Sequence, residues 1–173
     1  MTLRSTAGHP GEAFEPTGDP MKDGVGAASY AHDRADRCDL TLAGEPKIQP
    51  MSLLPDFHID HNDPDPRDMR VISGDGEDMG PCVDIWVDRS EPAIRYLEME
   101  LAGGTRKLIP WGYVRVRKGR MELHIQSLFA HNFADIPEPK AKDRITLLEE
   151  DKLFGYYAGG YRYAEPSRLE PLI

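Results

Sequence analysis

The sequence predicts a mainly β domain: a small antiparallel sheet closing into a barrel, with an extended N-terminal strap before it and one C-terminal α-helix after it. Three observations lead there. Eight of the fifteen prolines fall within the first 66 residues. Runs of period two extend from Met69 to Ile125, the spacing of half-buried strands. Thr146-Leu147-Leu148-Glu149 has the Ser/Thr-x-x-Glu pattern in which a hydroxyl and a carboxylate satisfy the free amides of a helix start.

The strap comes first. Proline locks φ and removes an amide donor, so Pro10, Pro16, Pro20, Pro46, Pro50, Pro55, Pro64 and Pro66 keep this third of the chain extended and free of long helices. Only short apolar pieces such as Lys47-Ile48-Gln49 and Phe57-His58-Ile59 interrupt it. A bare loop of that length is unusual inside a domain. It is expected to lie over another surface, that of a partner included.

The strands follow. Val83, Ile85 and Val87 alternate with Asp84, Trp86 and Asp88, and Arg95, Leu97, Met99 and Leu101 with Ile94, Tyr96, Glu98 and Glu100. Val114 and Val116 alternate with Arg115 and Arg117, and Met121, Leu123 and Ile125 with Glu122 and His124. Gly74-Asp75-Gly76, Ala102-Gly103-Gly104-Thr105 and Lys118-Gly119 supply turns between them. Closure into a barrel would remove the exposed edges of such a sheet. A short helical turn is expected around Ser127–Phe133. The C-terminal helix is predicted over about 147–158, with Leu147, Phe154 and Ala158 as its apolar stripe and Gly159-Gly160 as its stop. The domain boundaries expected from this pattern are a strap over 1–45, the barrel with its helix over 46–164, and a tail over 165–173.

Composition excludes several classes. The 173 residues carry 21 Lys plus Arg against 30 Asp plus Glu, a net charge of −9, which argues against a free-standing nucleic-acid binder. No window approaches the ~18 apolar residues of a membrane span. Cys38 and Cys82 form neither a disulfide framework nor a C-x-x-C pair, and Cys82 reads as a small core residue. The first residues lack the apolar core of a secretory signal, so nothing argues for export.

Candidate chemistry is sparse. His58 and His61, in His-Ile-Asp-His-Asn-Asp, are weak metal candidates, and the stretch lacks the glycine that a calcium loop needs for its sharp turn. A solvated acidic loop is the plainer reading. Gly24-Val25-Gly26 and Gly74-Asp75-Gly76 are too short for phosphate-binding fingerprints. No G-x-S-x-G occurs, and no nucleophile is paired with a base, so no catalytic motif marks an enzyme. Asp84, Asp88, Glu91 and Arg95 fall in one strand–turn–strand unit with Glu91-Pro92 at the bend. Such a cluster is either a solvated rim or a site where coupled groups hold and pass protons. Tyr156, Tyr157, Tyr161 and Tyr163 suggest an interface, since tyrosine combines a large apolar body with a polar tip.

Four ordered strings add a resemblance. Pro16-Thr17-Gly18-Asp19-Pro20-Met21-Lys22-Asp23-Gly24-Val25-Gly26, Val83-Asp84-Ile85-Trp86-Val87-Asp88, Thr146-Leu147-Leu148-Glu149-Glu150-Asp151-Lys152 and Tyr157-Ala158-Gly159-Gly160 resemble the H subunit of the photosynthetic reaction centre of purple bacteria. The likeness runs from about Pro16 to Ala164. It implies a PRC-barrel domain on the cytoplasmic face of the inner photosynthetic membrane. The resemblance further implies that this domain caps and stabilises the L and M subunits and assists proton transfer to the secondary quinone. The light-harvesting antenna is a further implied contact, and nucleic acid is not.

The resemblance also implies that this chain binds no cofactor itself, the bacteriochlorophyll, bacteriopheophytin, quinones and non-haem iron being held by L and M. Family members begin with a transmembrane helix, so the expectation is of a truncated fragment, soluble alone, whose membrane contact runs through the complex and the missing anchor. Glu91 matches the glutamate nearest the quinone-side proton network, Asp88 and Arg95 match its charged neighbours, and Lys47 matches a lysine near the point of proton uptake. A histidine pair that binds inhibitory zinc in some relatives is replaced here by Leu42-Ala43-Gly44-Glu45-Pro46, so that metal site is not carried over. The alternative is a PRC-barrel adaptor of the ribosome-maturation type. The −9 charge and the strings outside the barrel weigh against it, and co-purification with L and M rather than with ribosomal proteins separates the two.

Overall fold

Turn chemistry divides the chain much as the alternation requires. In the computed structural model, which describes residues 3–12 and 14–169, β1 (Leu3–Ser5) and β2 (Phe14–Pro16) pair as a small antiparallel ribbon. The one-turn helix α1 (Pro20–Asp23) is capped by the Asp19 carboxylate, which accepts from the Met21 and Lys22 amides. Gly24 closes it in the left-handed region at φ 63°. After a long irregular stretch come β3 (Ile48–Pro50), β4 (Arg70–Ile72), β5 (Asp78–Asp88), β6 (Ala93–Glu100), β7 (Arg106–Pro110), β8 (Val114–Arg117) and β9 (Glu122–Ile125). They form one seven-stranded sheet in the order β7-β6-β5-β4-β9-β8, with β3 added to β5.

Two features depart from the expected closed antiparallel barrel. β4 and β9 run parallel, and the sheet stays open, since β7 and β8 do not pair among the described residues. The cause lies in β5. Its eleven residues are shared, with Asp78–Pro81 pairing to β4 and Cys82–Asp88 to β6. Register irregularities at Cys82/Asp84 and Trp86/Val87 increase its local twist. Gly80, at φ 129°, sits where a Cβ would run into the Glu100 carbonyl oxygen. The bent strand thus joins two half-sheets, and Val71, Leu123 and Ile125 of one share a single core with Ile85, Leu97 and Ile109 of the other. Cys82 is fully buried in that core. The turn expected around Ser127–Phe133 is a 3-10 helix over Ala130–Asp135.

Helix α2 (Leu147–Tyr163) begins at the predicted capping box, with Glu149 N–H donating to Thr146 Oγ1 and Thr146 N–H to Glu149 Oε2. Its end and its phase differ from expectation. Gly159 and Gly160 lie inside the helix rather than stopping it. They are points of close approach: Gly159 lies against the Cβ of Ala28 and Gly160 against the Ser127 carbonyl. The inward face is Leu153, Tyr156, Tyr157 and Gly160, while Phe154 is exposed and Leu147 and Ala158 are half-buried. Two of the four tyrosines are therefore core rather than interface. Tyr156 donates to the Asn132 carbonyl at 2.8 Å and Tyr157 to the Leu108 carbonyl at 3.1 Å.

The strap lies on its own chain. Met21 and Ala28 are buried, and the Gly155 position of α2 leaves room for the Ala28 carbonyl, 2.7 Å from where a Cβ would stand. Tyr163 Oη accepts from the Ala27 amide. Across the molecule, the buried Lys107 ammonium donates to the Ala134 and Ile136 carbonyls and to Glu138, so the end of the 130–135 turn has its carbonyls satisfied.

Candidate functional site

Four residues singled out in the sequence, Lys47, Asp88, Glu91 and Arg95, line one cleft of about 310 Å³. Backbone pairing explains why. β3 pairs with the end of β5, placing Ile48 opposite Asp88, and the β5–β6 turn swings Glu91 and Arg95 to the same end of the sheet. Asp88 is almost wholly buried, and its Oδ1 accepts from the Ser90 and Glu91 amides at 2.9 and 3.2 Å. Its other oxygen lies 3.5 Å from the Lys47 ammonium, which also stands 3.7 Å from Asp39. Lys47 therefore bridges a buried and a half-exposed carboxylate.

The opposite wall comes from α2 and from the strap. Glu150, Asp151 and Arg34 add to the charged lining with Asp39, and none of these was picked out from the sequence as a site residue. Glu150 is the most perturbed of them. Burial pushes its carboxyl above the ordinary range, opposed by a 2.6 Å hydrogen bond from the Tyr96 hydroxyl and by the Arg95 guanidinium at 3.9 Å. The Asp39 and Asp151 charges add to the upward push. Tyr96 itself is driven far upward by burial and by the adjacent carboxylate, so it serves as a fixed donor. The local sequence around Glu150 gave one usable signal. In a helix capped at Thr146, Glu149 turns back to the cap, and the next residue faces elsewhere.

The strand–turn–strand cluster splits. Asp84 does not join Asp88, because a spacing of four positions along the strand holds them about 13 Å apart. It lines a second cleft, of about 620 Å³, where it accepts from the Ser52 hydroxyl at 2.5 Å and from the Ile85 amide at 2.8 Å. Trp86 and Glu98 share that cleft, with the indole N–H donating to Glu98 at 3.1 Å. His58 and His61 are both exposed, and among the described residues no group of three or more His, Cys, Asp or Glu side chains is arranged to hold a metal ion.

Two family models match the chain. The photosynthetic reaction centre H-chain N-terminal region covers residues 1–53, and the PRC-barrel domain covers residues 59–127. Together the two matches support membership of the reaction-centre H-chain family. The two matches meet at the cleft. Arg34, Asp39 and Lys47 lie in the first matched region, Asp88, Glu91 and Arg95 in the second, and α2 lies beyond both. The H-chain family is a structural, non-pigment subunit of a membrane-associated complex, which fits a site made of ionisable side chains. Among the described residues no helix is long and apolar enough to cross a membrane.

Proposed function

We propose that this chain caps the cytoplasmic face of the L and M subunits and that the Lys47–Asp88–Glu91–Arg95 cleft, completed by Glu150, helps deliver protons towards the secondary quinone. The observation that supports this is the convergence of five titratable side chains from three separate stretches of chain in one recess. Reducing a quinone to a quinol takes up two protons. A site shielded from bulk water receives them only through titratable groups or ordered water. Glu150 is suited to holding a proton, since burial disfavours its charged form. Lys47 keeps the neighbouring Asp88 and Asp39 charges compensated, and Arg95 limits how far Glu150 moves from the working range. Glu91 is exposed at the turn, where a partner can reach it. The match over residues 1–53 favours this reading over the ribosome-maturation adaptor.

The test is flash-induced kinetics in the assembled complex. Glu91→Gln keeps size and removes the exchangeable proton, so the proton-coupled second electron transfer should slow by about ten-fold or more, while the first changes little. An unchanged second transfer in both Glu91→Gln and Glu150→Gln complexes returns the cleft to a solvated rim. Co-purification with ribosomal proteins instead of L and M rejects the assignment to the complex.

A further inference from the structure

A chain with a net charge of −9 carries one concentrated basic ridge. Arg115 and Arg117 project from the exposed face of β8, and Lys118 and Arg120 occupy the single 3-10 turn leading into β9. Arg70 and Arg106 meet carboxylates at 2.8 and 3.5 Å, whereas none of these four has a carboxylate within 4.0 Å among the described residues. The nearest candidate, Glu122, lies opposite Arg117 in register but is taken by His124 Nε2 at 2.7 Å. Arg117, Arg120 and His124 line a recess of about 230 Å³. Beside it Met121 takes the left-handed conformation, φ 55° and ψ 46°, with 51% of its surface exposed.

We propose that this hairpin binds the anionic headgroups of a phospholipid membrane: Arg117 and Arg120 seat a headgroup phosphate in the recess, Arg115 and Lys118 engage its neighbours, and Met121 enters the headgroup–acyl boundary. Guanidinium forks match phosphate oxygens in pairs, which favours Arg over Lys as the seating group. A membrane fits better than a nucleic acid for two reasons. The ridge is one hairpin wide, so a long polyanion would run onto the acidic remainder of the chain. An exposed methionine at the tip has no partner on a phosphodiester backbone, yet it gains from burial at a lipid interface. Charge on an edge strand also discourages edge-to-edge pairing. That need is met by Arg115 and Arg117 alone and does not call for a cationic recess or a cationic tip.

The inference goes beyond the proton reading and is tested without the complex, so either can fail alone. Sedimentation of the intact chain with vesicles of mixed phosphatidylglycerol and phosphatidylcholine should show binding that weakens at high salt, and phosphatidylcholine vesicles should not bind. Each cation near an anionic surface is worth about five-fold in partitioning, so Arg117→Gln/Lys118→Gln/Arg120→Gln should lose roughly a hundred-fold. Lys142→Gln, an exposed cation elsewhere, should lose little. Arg117→Lys/Arg120→Lys, which keeps the charge but loses the paired phosphate contacts, should fall between wild type and the triple Gln variant, and thermal unfolding of each variant separates lost contacts from lost fold. Undiminished binding by the folded triple Gln variant, or equal binding to phosphatidylcholine, overturns the proposal. Binding of inorganic phosphate or of a DNA duplex through these same residues, without vesicle binding, assigns the ridge to another anion and overturns it too.

Discussion

At the residue scale the most informative side chain is Glu150. Its carboxyl is raised above the ordinary 4.5 chiefly by burial, with the Tyr96 hydroxyl and Arg95 pulling the other way. Between the unfolded and folded values, the folded chain binds more protons, so the stability contributed by the protonated form falls as pH rises through that window. Glu150→Gln still offers Tyr96 an acceptor and removes the cost of a buried charge. The variant should therefore unfold at the same temperature as wild type below about pH 4.5 and at a progressively higher one above it. Paired melting curves across this range check it, and a pH-independent difference would mean that burial costs the charged form nothing. Asp88 differs in its hydrogen-bond partners. It is equally buried, but two amides and the Lys47 ammonium satisfy its charge. Neither environment was legible from composition. Asp88 and Glu91 lie beside each other because they share a turn, a local relation readable in the sequence. Glu150 lies 59 positions beyond Glu91, and only the packing of α2 against β6 brings it there.

At the scale of elements, α2 shows why spacing alone misleads. The capping box was readable because it is local, a hydroxyl and a carboxylate three residues apart. The helix's inward face was not. Glycines read as breakers when isolated from tertiary context, whereas Gly155, Gly159 and Gly160 are where the strap backbone and the 127–128 segment approach too closely for a side chain. Counting them as part of the buried face shifts the stripe to Leu153, Tyr156, Tyr157 and Gly160. Gly155→Ala weighs two effects against each other. Alanine favours the helix by about 1 kcal/mol, but a methyl group would stand 2.7 Å from the Ala28 carbonyl oxygen, and overpacking of this kind costs about 1–3 kcal/mol. The clash should win by about 1 kcal/mol, lowering the denaturant midpoint without changing its slope, because the exposed surface of unfolding is unaltered. A stabilised variant would show that the strap yields at no cost.

For the whole molecule, the period-two runs specified strands and turns because each depends on neighbours within a few residues. The open path and the parallel β4–β9 pair depend on where β5 bends, which no local pattern records. The strap is the other long-range feature. Its proline content rightly excluded long helices but left open what it lies on, and the answer is α2 through Met21 and Ala28. That contact predicts a graded pattern of amide exchange in the isolated chain. Strands β5, β6 and β7 surround residues with no exposure, Ile85, Leu97, Met99 and Ile109 among them, so their amides should exchange only on global opening. The segment from Met21 to Ser29 has few backbone bonds and one buried face, so it should exchange by a separate, lower-energy opening that exposes α2. The β1–β2 ribbon, whose pairing is confined to three residues a side, should exchange fastest. Gly155→Ala should accelerate exchange at 21–29 while leaving β5–β7 nearly unchanged. If 21–29 exchanges at the core rate in wild type, strap and barrel unfold as one unit. Uniformly fast exchange across Val83–Ile125 would instead mean that the sheet does not hold without its partners.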